Sequence, residues 1–313
     1  MTETTKTVFE KYEVRKSKKQ KAAFRKYVKE IAAREGYTYK EEKGYLGAKN
    51  IVIGDPETAN AVYTAHYDTC AALPFPNFIT PKNIWIYLLY QIATFAALFA
   101  SMFVAGFLIG VIMGLLRLTA LDDRTLEIIG SLVSAAVTVG FVLLIFAGPA
   151  NKHTANDNTS GVTVLLDTMV AMPQNSREKI AFIFFDLEEA GLFGSMAYAS
   201  KHKDTMRDKL LVNFDCVSEG NNMIFTCKKG ARKYMPALTE AFASEDFNVD
   251  IADKGMFYPS DQANFPCGVG VAACRGKGKN IYLSRIHTKR DIVYTEKNIE
   301  YFVNGAVKLA ELL

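Results

Sequence analysis

Between Ile84 and Leu116 the chain carries no charged residue. At ~1.5 Å per helical residue, such a run is longer than the ~30 Å apolar slab of a bilayer. A polar stretch from Arg117 to Glu127 follows, with Asp122-Asp123-Arg124 inside it, and then a second uncharged run from Ile128 to Pro149. Two uncharged runs of this length are rare in soluble domains. They predict a transmembrane helical hairpin at 83–149, inserted in a domain made of 1–82 and 150–313. The lead-in from Ile84 to Gln91 is aromatic and amphipathic, like an interfacial segment, so the first span is expected from Ile92 to Leu116. Gly106, Gly110 and Gly114 form a ridge that permits close helix contact, within the hairpin or in a homodimer.

An even number of spans leaves both flanks on one side. The N-terminal flank carries Arg15-Lys16-Ser17-Lys18-Lys19-Gln20-Lys21, Lys152 follows the second span, and the connecting loop is balanced in charge. Positive flanks stay inside, so the expected location is the cell membrane, multi-pass, with the flanks in the cytoplasm. The basic run reads as a solvated helix face or as a surface resting on anionic lipid. It has no aromatic interleaving and no nucleic-acid motif, so nucleic acid is not an expected partner. Five cysteines, at 70, 216, 227, 267 and 274, form no Cys-x-x-Cys pair and read as reduced, buried thiols. The start, Met-Thr-Glu-Thr-Thr-Lys, lacks the apolar core of a signal peptide.

Outside the hairpin, strands and helices alternate. Ser17 is placed to cap a helix through Phe24, Val28 and Ile31 that ends at Gly36. Asn50–Gly54, Ala61–His66, Ile180–Asp186 and Lys209–Phe214 read as strands. Val162–Met172, Ala190–Lys201 and Thr295–Leu312 read as helices, the last with Thr295 as its cap. The pattern predicts an α/β three-layer sandwich around a mixed, largely parallel sheet. Candidate ligands fall just after strands, where such sheets place their sites.

Those candidates lie in five motifs: Thr-Ala-His66-Tyr-Asp68-Thr, Ala-Asn-Asp157-Asn-Thr-Ser-Gly, Phe-Asp-Leu-Glu188-Glu189-Ala-Gly, Asn-Phe-Asp215-Cys and Ile-His287-Thr-Lys-Arg-Asp291. Each alone is weak, but the ordered series is what two divalent cations sharing a carboxylate need. His66 and Asp68, two apart at a strand end, point to one face. His66 can bind a metal while Asp68 accepts its second N–H. Asp157 can bridge two cations ~3.5–4 Å apart. Glu189 and His287 complete one position, and His66 and Asp215 the other. Nitrogen and oxygen donors in this mix suit zinc. Glu188 is not needed as a ligand and is the candidate general acid/base.

With these motifs the chain resembles the M28 family of co-catalytic zinc aminopeptidases, over roughly residues 50–72 and 150–295. The resemblance implies two zinc ions per chain, one on His66, Asp157 and Asp215, the other on Asp157, Glu189 and His287, with Glu188 as base. It also implies a cis peptide at Asp157-Asn158. Tyr258-Pro-Ser-Asp261 resembles the family's Ser-Asp loop beside the site. That makes Asp261 a substrate-side candidate and Tyr258 a group to polarise the substrate carbonyl, since family members use a tyrosine for this; the chain departs from the family pattern in having Ile286, not a tyrosine, before His287. Here the hairpin separates His66 from Asp157, so the site is expected near the membrane. The expected activity is a membrane-anchored aminopeptidase acting on peptides. Alternatives are a glutaminyl cyclase or carboxypeptidase on the same fold, and an inactive membrane receptor or scaffold.

Overall fold

The computed structural model describes residues 1–73, 75–116 and 122–313. The chain separates into two compact units, one formed by Met1–Asn83 with Ala150–Leu313 and the other by Ile84–Pro149.

The first unit is built on one nine-stranded sheet. Its strands are β1 (Tyr39–Lys43), β2 (Lys49–Ile53), β3 (Ala61–His66), β4 (Ile180–Phe185), β5 (Leu210–Phe214), β6 (Asn222–Cys227), β7 (Asn248–Ala252), β8 (Gly268–Lys277) and β9 (Asn280–Tyr282). The order is β1-β2-β4-β3-β5-β8-β6-β7, with β9 on β8. The centre, β4-β3-β5-β8, is parallel. Antiparallel pairing begins on either side of it, at β2–β4 and β6–β8. The central strands read Ile-Ala-Phe-Ile-Phe-Phe and Leu-Leu-Val-Asn-Phe and are buried on both faces, as parallel strands must be.

The helices of this unit are α1 (Glu3–Tyr12), α2 (Lys18–Arg34), α5 (Gly161–Ala171), α6 (Phe193–Lys201), α7 (Met235–Ala241) and α8 (Glu296–Leu312); α3 (Ile84–Leu116) and α4 (Asp123–Ala147) form the second unit. Alternate residues of the sheet divide the core in two. Ile51, Tyr63, Phe182, Phe184, Val212 and Phe214 join Phe24, Leu165, Leu238 and Phe302 from the helices of one face. Val52, Val62, Ile183, Phe185 and Leu211 join Tyr198 and Phe265 on the other. This is the expected three-layer α/β arrangement.

Local chemistry sets several ends. Ser17 accepts the Gln20 N–H while Gln20 accepts the Ser17 N–H, a capping box that starts α2. Gly36 takes φ +77° after its end, a left-handed turn that glycine adopts without strain. Thr295 makes no side-chain cap on α8; its N–H donates to Ser218 Oγ at 2.7 Å instead. α6 starts at Phe193 rather than Ala190, because the chain turns through Leu192 at φ +61°. The basic run is not one solvated face. Arg15, Lys21 and Arg25 are buried, whereas Lys18, Lys19, Lys26 and Lys29 are exposed.

In the second unit α3 is a single helix from Ile84, with no separate lead-in. α4 begins at Asp123, because Asp122 accepts the Thr125 N–H and caps it. The polar loop is therefore shorter than expected, and its residues 117–121 lie outside the described residues. α3 is long and apolar enough to cross a membrane, as is α4 over Asp123–Phe141. At Gly106, Gly110 and Gly114 a Cβ would meet no described atom within 4 Å. The ridge is not what packs the hairpin.

Candidate metal centre

The parallel strands deliver the site. His66 ends β3, the Asp186–Glu189 turn follows β4, and Asp215 follows β5. Asp157 lies in the irregular turn Ala155–Ser160 that leads into α5. Gly161 lets that turn come close, since a Cβ there would lie 2.1 Å from the Phe214 carbonyl oxygen. The Asp157-Asn158 peptide is cis, as the resemblance implied. Left-handed backbone recurs at the site in Leu187 before Glu188, Cys216 after Asp215, and His287 itself. Such conformations in non-glycine residues concentrate at functional loops.

His66 Nε2 lies 3.3 Å from Asp157 Oδ1 and 3.5 Å from Asp215 Oδ1. His287 Nε2 lies 3.1 Å from Asp157 Oδ2 and 3.1 Å from Glu189 Oε2. Asp157 thus turns one oxygen toward each histidine. Donors ~2.0–2.1 Å from a tetrahedral zinc are ~3.3–3.4 Å apart, close to these spacings. Glu189 Oε1 and Asp215 Oδ1 are buried without a hydrogen-bond partner among the described residues, which is costly unless a cation completes them. His66 Nδ1 faces the Asp68 main-chain oxygen at 3.1 Å. A proton held there leaves the Nε2 lone pair free as a ligand. The donors fit zinc.

The same carboxylates act on the charge of the histidines. Burial alone would lower His66, but Glu188, Asp157 and Asp215 outweigh it and raise its pKa well above the ordinary value. His287 is raised in the same way, by Glu189 and Asp157. Burial would raise Asp157, yet the two histidines hold it below the carboxylate range. Glu188 is raised well above that range by burial, with Asp261, Glu189 and Asp215 adding to it against His66.

Asp68 departs from its expected role. The His66 proton goes to its main-chain oxygen, and its carboxylate, 3.8 Å from Nδ1, accepts the N–H groups of Glu188 (3.0 Å) and Glu189 (3.3 Å) instead. Those two N–H groups sit at the start of a turn, where a carboxylate is better placed to accept. Tyr258 is buried, and its hydroxyl donates to the Asp215 carbonyl at 3.1 Å. Asp261 is fully buried, neither of its oxygens finds a hydrogen-bond partner among the described residues, and burial pushes it up to about 7.

The motifs assign no role to several residues that support the site. Asp291 accepts the N–H groups of Asn156 (2.8 Å) and Asp157 (3.0 Å), and burial followed by the charge of Asp157 pushes it up to about 8. Asn156 Oδ1 accepts from Ser218 and Glu219, while Asn158 accepts from Cys216 and donates to the Phe214 carbonyl. Together they strap the Asp157 turn to the Asp215 loop. Arg15 donates to the carbonyls of Tyr67, Tyr12 and Glu13 and to Thr159 Oγ1. The asparagines and Asp291 stand inside the metal motifs; Arg15 has no such signal.

The model of peptidase family M28 matches residues 138–306, more than half of the chain. The chain belongs to peptidase family M28. No curated protein matches it. Among solved structures, this M28 chain is similar to Legionella pneumophila LapA aminopeptidase, at 16% identity and TM-score 0.56 over 98% of this chain and 68% of that one. It is similar to Porphyromonas gingivalis glutaminyl cyclase, at 13% identity and TM-score 0.59 over 99% and 96%. It is also similar to a Zn-dependent exopeptidase from Parabacteroides distasonis, at 13% identity and TM-score 0.58 over 98% and 97%. At these identities the structures establish a shared fold. Membership of the family makes the chain a metallo-exopeptidase, and zinc its metal.

Proposed function

We propose that this M28 peptidase is a membrane-anchored di-zinc aminopeptidase that removes N-terminal residues from peptides. The observation that carries the reading is Asp157, with one oxygen toward each histidine, Asp215 grouped with it on the His66 side and Glu189 beside His287 on the other. His66, Asp157 and Asp215 hold one ion; Asp157, Glu189 and His287 hold the other. Zinc ions bound there polarise the scissile carbonyl and lower the pKa of a water. Glu188 accepts the proton of the attacking water and returns it to the leaving amine as the peptide C–N bond breaks. Its buried setting raises its affinity for that proton. Asp68 positions Glu188 and Glu189 through their N–H groups. Tyr258 braces Asp215 through its carbonyl, and the charge of Asp261 adds to the proton affinity of Glu188. A site so rich in carboxylates favours a substrate ammonium group over a substrate carboxylate.

In this reading α3 and α4 anchor the chain in the cell membrane as a multi-pass hairpin. The exposed lysines of α2 hold the catalytic unit on the cytoplasmic side, and peptides at the bilayer surface are its substrates. The open Gly106/Gly110/Gly114 ridge is the place for a second copy.

The test is digestion of a mixed peptide library by the metal-loaded enzyme, read by mass spectrometry, with metal analysis of the same sample. Stepwise loss of N-terminal residues and two zinc ions per chain are expected. Pyroglutamyl products with a single zinc would point to a cyclase, C-terminal trimming to a carboxypeptidase, and no turnover by the loaded protein to a scaffold.

A further inference from the structure

The five cysteines are free and buried. Cys70 is the one that joins a set of ligand atoms among the described residues. Its Sγ, a carboxylate oxygen of Glu189 and a ring nitrogen of His287 all lie within 4.8 Å of one another. With metal–sulfur and metal–oxygen bonds of ~2.3 and ~2.0–2.2 Å, two donors on one tetrahedral ion stand ~3.5–3.7 Å apart, so the three atoms need to close by no more than ~1 Å to share an ion. An independent observation points the same way. The Glu189 side chain is 10% exposed; its Oε2 faces His287, while its Oε1 has no hydrogen-bond partner among the described residues.

The main chain holds the thiol in place. The Asn151 N–H donates to the Cys70 carbonyl at 3.1 Å, and Ala71 is bridged to Ala150. The Leu73 N–H donates to the His287 carbonyl at 2.9 Å. The segment carrying Cys70 is therefore stitched to the loop carrying His287.

We propose that Cys70 is a further ligand, as its thiolate, of the ion held by Asp157, Glu189 and His287. On binding, the S–H bond breaks, an S–metal bond forms and the proton leaves to solvent. This inference rests on the metal centre proposed above and makes its halves unequal. The His287 position has four protein donors, the number of a closed zinc site, and one of them is soft. The His66 position has three, the number that leaves room for water or substrate. A thiolate favours zinc or cobalt over manganese or magnesium, so the His287 position is the more selective and the last to lose its ion.

The experiment uses the full chain in detergent, stripped with a chelator and reloaded with cobalt. Visible d–d bands report uptake, and a near-ultraviolet charge-transfer band reports a thiolate on the metal. The charge-transfer band is expected in the wild type and in C216S, and is expected to vanish in C70S while the d–d bands stay. A wild type with d–d bands but no charge-transfer band, or a C70S protein that keeps the band, overturns the proposal. Protein that takes up no cobalt would instead defeat the underlying metal-centre reading. If C70S does not fold, X-ray absorption on the zinc-loaded wild type decides: a sulfur shell at ~2.3 Å supports Cys70, and oxygen and nitrogen at ~2.0–2.2 Å alone exclude it.

Discussion

On β4, Phe182, Phe184 and Phe185 are fully buried, whereas on α3 Phe99 and Phe103 are 67% and 77% exposed. The catalytic unit hides its apolar residues and also hides charge: His66, Asp157, Asp215 and Asp261 are all buried. The hairpin does the reverse, with Leu89, Ile92, Phe95 and Leu115 all outward and none of α3 buried. Each side chain of this kind left in water forgoes ~1.5–3 kcal/mol. Buried, unpaired carboxylates cost several kcal/mol as well. Neither unit is complete as a bare polypeptide in water. The first calls for cations inside, and the second for apolar surroundings outside.

The sharpest attack on the first half of this contrast is Glu188→Gln. The amide cannot accept a proton, so kcat should fall by ~10²–10⁴, with bound metal and thermal stability unchanged. Turnover like that of the wild type would show that the buried charge serves binding alone. On the hairpin, Phe103→Lys should cost ~3–4 kcal/mol of membrane insertion if α3 stands in lipid. A glycosylation-type insertion assay reads this directly, and a helix that lives in water would accept the lysine without loss. Asp291→Asn turns an N–H toward one of the two main-chain donors that Asp291 now receives. Removing such a support typically costs ~10–100-fold in metal affinity, measurable by competition with a chelating dye. Equal affinity would mean that the Asp157 turn holds itself.

The smallest expected effect lies away from the metals. Glu42 is buried and accepts from His202 Nε2 at 2.8 Å, with Lys201 Nζ at 3.2 Å. Burial would raise its pKa, but His202 and Lys201 outweigh this and lower it. A lowered carboxylate stabilises the fold at pH values above its unfolded value of about 4.3. That stability is lost as pH falls through the folded value. Glu42→Gln should therefore cost ~1 kcal/mol at neutral pH. Thermal melts across pH should show the gap closing in acid; a gap of constant size would mean that the loss is one of packing.

Much of the fold and of the candidate metal site is legible in the amino-acid order, for local reasons. The capping box at Ser17, the β-branched and aromatic run of β4 and the uncharged run of α3 each carry their signal within a few residues. The five metal motifs are legible because the chemistry restricts which side chains can serve. What stays hidden depends on distant parts of the chain. Arg15 sits in a basic run and looks like surface, but it is buried and donates to three carbonyls and a threonine. Spacing pairs Asp68 with the wrong donor, because it shows that two side chains share a face, not which N–H groups arrive from the turn after β4. Strands β6 to β9 alternate too weakly to stand out.

The sheet order also sets a timetable. β3 ends in His66 and lies between β4 and β5, and β2 too pairs with β4. Every one of these partners is encoded after α4. As the chain is made from its N-terminus, only the β1–β2 hairpin can form before the inserted segment emerges. His66 must wait, unpaired on both edges, until the second half arrives. Closing so long a connection is slow, although each doubling of its length costs only ~0.6 kcal/mol. Of the five candidate ligands only His66 precedes the inserted segment, so the set stays incomplete until that segment has been made.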